Sequence, residues 1–303
     1  MKAVELFAGL GGFAEGARPA AVQIVWAANH WRAACDAYFA NHPDLEPACQ
    51  DLHQADFSHL PPHDCLLGSS ACQGHCWARG KEKAYHDATR ATAWAFVSCA
   101  EMHRQPVLVM ENVPEFLRWV LFPAWKAALE AMGYVLSINI LDAADHGVPQ
   151  HRVRVVIIAT LSRFPFELAK VERPHVPFEA IIDPNAGLWG PVRTKCLNTR
   201  RRWRQARKDG FGPRFVMPYY GNGSGLTGRS LARPLGTITT RDRWALVADN
   251  RMRMLTVLET QRAMGFRDSY LLPANKKLAK HLLGNAVPPV MVTDVLTQIR
   301  ERL

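Results

Sequence analysis

Three kinds of side chain able to act together in a polar reaction stand beside short apolar runs in this chain. They are a thiol at Cys72, a carboxylate at Glu111 and two guanidiniums at Arg152 and Arg154. The run Leu66-Leu67-Gly68 breaks at Ser69-Ser70-Ala71, presents Cys72, and passes into Gln73-Gly74-His75-Cys76. That pattern predicts a buried strand delivering a nucleophile to the rim of a sheet. A thiolate attacks carbon, a carboxyl group moves or holds a proton, and a guanidinium holds an oxygen in a fixed plane.

The elements that must position these groups follow from the apolar runs around them. Val107-Leu108-Val109-Met110 predicts a central parallel strand ending at Glu111-Asn112-Val113. Gln150-His151-Arg152-Val153-Arg154 leads into a further strand, Val155-Val156-Ile157-Ile158-Ala159. The period of two puts Arg152 and Arg154 on one face of an extended segment. Earlier, Val4-Glu5-Leu6-Phe7-Ala8-Gly9-Leu10-Gly11-Gly12-Phe13 reads as a strand, a glycine-rich turn and a helix. The strand Ile24 to Ala28 ends at Asn29-His30-Trp31, and a third junction falls near Asp51-Leu52. Successive strand ends of this kind hold adenosine-type cofactors in an open α/β sheet.

Composition narrows the partners. The chain has 303 residues and a net charge of +10, which points to an anionic partner, nucleic acid before membrane. No apolar run approaches the ~18 residues of a membrane span, and the glycine-rich turn comes too early for a signal peptide. Seven cysteines without a framework spacing fit a reducing cytosol. Cys65, Cys72, His75 and Cys76 lack a CxxC pair and a second cluster, so no metal site is predicted. From Arg193 to Lys208 there are eight basic residues, no acidic ones, and Trp203 among them, an electrostatic footprint for phosphates.

In order and wording these segments resemble the C5-cytosine DNA methyltransferase family. Phe7-Ala8-Gly9-Leu10-Gly11-Gly12 is similar to its first cofactor motif, and Ala71-Cys72-Gln73-Gly74 to its nucleophile motif. Glu111-Asn112-Val113, Gln150-His151-Arg152-Val153-Arg154 and Gly284-Asn285-Ala286-Val287-Pro288-Pro289 are similar to later motifs. So is Arg253-Met254-Leu255-Thr256 with Glu259, Arg262, Gly265 and Phe266. The likeness runs from residue 4 to about 290 and is weakest between roughly 162 and 232.

The resemblance implies a Rossmann-like, doubly wound α/β sheet with a smaller inserted target-recognition domain. The catalytic domain would comprise 1–161 with 282–303, and the insert 162–281. It implies transfer of a methyl group from S-adenosylmethionine to C5 of a cytosine flipped out of duplex DNA, leaving S-adenosylhomocysteine. Cys72 would add to C6, Glu111 would contact N3 and the exocyclic amine, Arg152 would bind the base carbonyl, and Arg154 would help hold the site. Phe7, Ala8, Gly9, Gly11, Gly12, His30, Trp31, Asp51, Leu52 and Asn285 would contact the cofactor. Arg79, in the first part of the Trp77 to Arg90 segment, which reads as a loop that closes over DNA, would meet the duplex together with Gln73 and His75 near the base of that loop. So would Arg200, Arg201, Arg202 and Arg204 of the basic run, Tyr220 of the glycine-rich Tyr219 to Gly225 loop, and Arg241. The expected protein is a cytoplasmic monomer of prokaryotic or phage origin.

Two residues depart from the family pattern. Ala71 stands where the family carries proline, which predicts a less restricted turn. His30 stands where it carries a carboxylate for the ribose hydroxyls; an imidazole still hydrogen-bonds a hydroxyl, as a neutral or cationic partner. Two other readings compete: an RNA cytosine methyltransferase with the same chemistry, and an inactive DNA-binding protein. The basic, glycine-rich insert argues against the first, and the presence of Cys72, Glu111 and Arg152 against the second.

Overall fold

Apolar runs too short for helices and lacking alternation form strands covered on both faces. A computed structural model describes residues 1–75, 85–219 and 225–302. Its first half alternates strands and helices: β1 (Lys2–Leu6), α1 (Gly12–Ala17), β2 (Gln23–Asn29), α2 (Arg32–Phe39) and β3 (Ala48–Cys49). Then come β4 (Cys65–Gly68), α3 (Tyr85–Ala91), α4 (Trp94–His103), β5 (Val107–Asn112), α5 (Phe122–Ala131), β6 (Val135–Asp142) and β7 (Val153–Thr160). Every residue of β4 and β5 is buried, including Glu111 and Asn112 at the end of β5.

The seven strands form one sheet in the order β3-β2-β1-β4-β5-β7-β6. β1 to β5 are parallel, whereas β7 lies antiparallel between β5 and β6. The carboxyl ends of β1, β4 and β5 therefore share a rim with the amino end of β7. One face is packed by Phe96 and Cys99 of α4 and Trp125 and Leu129 of α5. The other is packed by Phe13 and Ala17 of α1 and by Met291, Val295 and Ile299 of α9 (Pro289–Arg302).

A second, four-stranded antiparallel sheet, in the order β8-β11-β10-β9, uses β8 (Gly190–Pro191), β9 (Arg214–Pro218), β10 (Trp244–Ala248) and β11 (Arg251–Met254). The basic run forms helix α6 (Leu197–Lys208), uninterrupted by Gly or Pro. After β11, α7 (Val257–Ala263) begins at a capping box: Thr256 Oγ1 accepts from the Glu259 N–H while Glu259 accepts from the Thr256 N–H. Helix α8 (Lys276–Asn285) follows, capped by Asn275. A single apolar cluster joins the two sheets: Leu10, Ala34 and Ala37 pack with Leu235, Ile238, Trp244 and Leu246, and with Leu282, Leu283 and Ala286.

Candidate active site

The glycine-rich turn after β1 is built on left-handed backbone: Phe7 (φ 57°), Gly9 (φ 54°) and Gly11 (φ 86°). A phenylalanine in that region is costly and is held only by its surroundings. Gly12 lies so close to the segment after α8 that a Cβ would sit 2.3 Å from the Val287 carbonyl oxygen. This turn and the ends of β2, β4 and α8 enclose a cleft of about 590 Å³, a size suited to a nucleoside-containing cofactor.

Phe7, Ala8, Gly9, Gly12, His30, Trp31 and Asn285 line the cleft, together with Cys72 and Gln73 at its edge. The cofactor-type and thiol-bearing segments thus meet in one cavity. Gly11 sits behind the turn, where a Cβ would meet the Tyr270 hydroxyl at 2.8 Å. Asp51 and Leu52 do not reach the lining. β3 is only two residues long, and in the turn after it Asp51 accepts from the His53 N–H and Nδ1 (3.0 and 2.9 Å), bonds that lower its carboxyl pKa. Leu52 is buried in the core.

Residues not singled out in the sequence complete the cleft: Asn275 and Lys277 at the start of α8, His281 in its middle, and Glu5 from β1. The His281 ring meets Trp31 edge-on with centroids 5.2 Å apart, and burial followed by the nearby Lys277 lowers its pKa. Glu5 is fully buried, with Tyr38 donating to Oε2 at 3.4 Å and no hydrogen-bond partner at Oε1 among the described residues. Desolvation pushes its pKa up to about 8. A glutamate two residues before a glycine turn was the available signal for it.

Around the thiol the structure fastens the ends of β4 and β5 together. Glu111 Oε1 accepts from Arg154 Nε at 2.9 Å and Oε2 accepts from Ser69 Oγ at 2.5 Å, in a pocket where Glu111 is 4% exposed. Asn112 Nδ2 donates to Ser70 O and Oγ. Behind the thiol, a Cβ on Gly74 would come 2.6 Å from the His86 carbonyl oxygen, so only glycine admits α3 this closely.

The two arginines do not share one target. Arg154 reaches Glu111, whereas Arg152 is 2% exposed and donates to three carbonyls: Ile238 O (3.0 Å), Gly284 O (3.0 Å) and Ala286 O (2.8 Å). Placing Arg152 on the base carbonyl does not fit this geometry, because its guanidinium ties the amino end of β7 to the segment carrying Asn285. Gln150 makes a parallel tie, donating to Ala263 O and accepting from the Ile238 N–H.

Of the residues expected to meet DNA, Gln73 and Arg241 are exposed, as are Arg201 and Arg204 on α6. Arg200 and Arg202 are partly buried, the latter lying over the Tyr219 ring at 5.5 Å. His75 differs from expectation. It is 8% exposed, and its ring packs edge-on against Phe116 and Trp119, so here it is a packing residue. Arg79 and Tyr220 lie outside the described residues.

Comparison with known proteins decides the family. The C-5 cytosine-specific DNA methylase family matches residues 1–301. The chain belongs to that family. Type II methyltransferase M.NlaX of Neisseria lactamica is 26% identical to this methylase over 316 residues, covering 100% of this chain and 97% of the relative. Type II methyltransferase M.SsoII of Shigella sonnei is 26% identical, covering 98% and 79%. Among solved structures, a DNMT2 mutant of Spodoptera frugiperda superposes with a TM-score of 0.72 at 18% identity, covering 99% of both chains. The methyltransferase EhMeth of Entamoeba histolytica gives 0.70 at 16% identity, covering 99% and 98%. The methylase thus has the Rossmann-like sheet that its sequence predicts.

Proposed function

We propose that this methylase transfers a methyl group from S-adenosylmethionine to C5 of a flipped-out cytosine in a specific short DNA sequence, through a covalent bond between Cys72 and C6. The observation that carries this reading is the shared rim. Cys72 edges the cofactor-sized cleft, and three residues before it Ser69 is bonded to Glu111, itself paired with Arg154.

Cytosine C5 is too weak a nucleophile to accept a methyl group unaided. Addition of the Cys72 thiolate to C6 makes C5 enamine-like and builds negative charge at N3. A proton carried by the Glu111 carboxyl group and donated to N3 neutralises that charge, while the other carboxyl oxygen accepts from the exocyclic amine. Arg154, beside Glu111, takes the base carbonyl oxygen, and Arg152 holds the Asn285 segment in place. S-adenosylmethionine, when bound, supplies the electrophilic methyl group. Phe7, Trp31 and Asn285 line its cleft, and the exposed His30 offers an imidazole to the ribose. Loss of the C5 proton to water restores the C5–C6 double bond, breaks the C6–sulfur bond and releases the Cys72 thiolate.

The small sheet, α6 and Arg241 belong to a target-recognition domain of residues 162–281, and the large sheet with α9 to the catalytic domain. Arginines on α6 contact phosphates of duplex DNA. No helix among the described residues is long and apolar enough to cross a membrane.

The test is covalent trapping. With S-adenosylmethionine and duplex DNA carrying 5-fluorocytosine, fluorine at C5 blocks elimination, so a shifted band on a denaturing gel is expected from the wild type and not from Cys72→Ala. Equal bands from both proteins, or trapping on fluorinated RNA alone, would overturn this reading.

A further inference from the structure

The three residues ahead of the thiol each carry a fastening. Ser69 Oγ donates to one Glu111 oxygen while Arg154 Nε donates to the other. Ser70 accepts twice from Asn112 Nδ2, at 3.0 and 3.1 Å. The Ala71 N–H donates to Thr92 Oγ1 at 3.0 Å. The Thr92 hydroxyl proton is committed to the Thr89 carbonyl at 2.7 Å, so its oxygen is oriented as an acceptor. A residue without an N–H at position 71 could not make that bond.

We propose that Ser69 and Thr92 are positioning residues for methyl transfer. Ser69 fixes the plane of the Glu111 carboxylate, and Thr92 fixes the turn that aims Cys72. The terminal torsion of a glutamate is broad and roughly two-fold, so a donor on one oxygen leaves the plane free to swing. Donors on both oxygens remove that freedom. The peptide joining Ser70 to Ala71 is likewise held on two sides, with Ser70 O bonded to Asn112 of β5 and the Ala71 N–H to Thr92 ahead of α4. The turn is thus braced by hydrogen bonds where a proline would brace it by its ring. This inference rests on Cys72 and Glu111 having the roles proposed above.

The experiment compares Ser69→Ala, Ser69→Thr, Thr92→Val and Thr92→Ser with the wild type. It measures single-turnover methylation of duplex DNA, the S-adenosylmethionine dissociation constant by equilibrium dialysis, and thermal melting. Ser69→Ala and Thr92→Val are expected to slow single turnover by at least about tenfold, as small misplacements at a reacting centre do, with cofactor affinity unchanged. The two variants that keep a hydroxyl are expected to return to within about threefold of the wild type, the scale of one modest hydrogen-bond adjustment. Full single-turnover rates in Ser69→Ala and Thr92→Val would overturn the proposal. So would slowing that Ser69→Thr and Thr92→Ser do not rescue, or that merely follows lost cofactor binding. The trapping assay separates the two readings: absence of any Cys72-dependent adduct from the wild type defeats the proposed function itself, whereas normal trapping with undisturbed variants defeats only the positioning roles.

Discussion

Glu5 shows how one buried side chain writes a pH dependence into the protein. Its carboxyl group is fully buried and is held up to about 8 by desolvation, against an ordinary value of 4.5. Above pH 4.5 the unfolded chain has lost this proton while the folded chain keeps it. Stability contributed by Glu5 is therefore intact at low pH and drains away as pH rises from 4.5 toward 8. Glu5→Gln removes the titration while keeping the shape. Melting temperatures at pH 6 and pH 8 are expected to differ less in Glu5→Gln than in the wild type, by about 2 °C or more, the shift that roughly 1 kcal/mol produces in a chain of this size. Identical gaps in the two proteins would show that Glu5 titrates normally.

At the scale of elements, the antiparallel strand β7 decides how the site is assembled. Its amino end lies at the rim formed by the carboxyl ends of the parallel strands, and this brings Arg152 and Arg154 to the site. Arg152 then spends its guanidinium on carbonyls of residues 238, 284 and 286. Arg152→Met leaves those buried acceptors without their donor and is expected to cost about 3–5 kcal/mol in urea unfolding. A cost below ~1 kcal/mol, the worth of an ordinary hydrogen bond, would mean that the segment finds other donors.

The elements themselves were legible in the sequence. Cys72 and Glu111 stood out beside apolar runs, and residues 193–208 as a basic stretch, though not as the helix α6. The different tasks of Arg152 and Arg154 were not, because the carbonyls that claim Arg152 lie 86 to 134 residues away in sequence. His75 looked like a surface residue for the same reason: the rings that bury it, Phe116 and Trp119, are far along the chain. Asp51 matched its motif, yet the short β3 turns its carboxylate to His53. Local pattern thus placed the strands and the thiol, while long-range contacts decided where Arg152, Arg154 and His75 sit.

For the whole molecule, the charge of +10 is distributed with purpose. Helix α6 carries six basic residues and no acidic one, with Arg201 and Arg204 exposed. If both contact phosphates, Arg201→Gln combined with Arg204→Gln lowers the slope of log affinity against log salt by roughly 1.8, about 0.9 for each lost contact. Affinity should fall on specific and non-specific duplex alike. An unchanged slope would move the phosphate contacts elsewhere on the surface.

The apolar cluster that joins Leu10 of the glycine turn to Leu235, Ile238 and Trp244 has a consequence for how the protein responds to its ligands. A body whose two sheets share a core cannot loosen one without exposing the other, so occupancy of the cleft and order in the four-stranded sheet are thermodynamically linked. An inhibitor shaped only to the cleft beside the glycine turn would thereby also stiffen the four-stranded sheet.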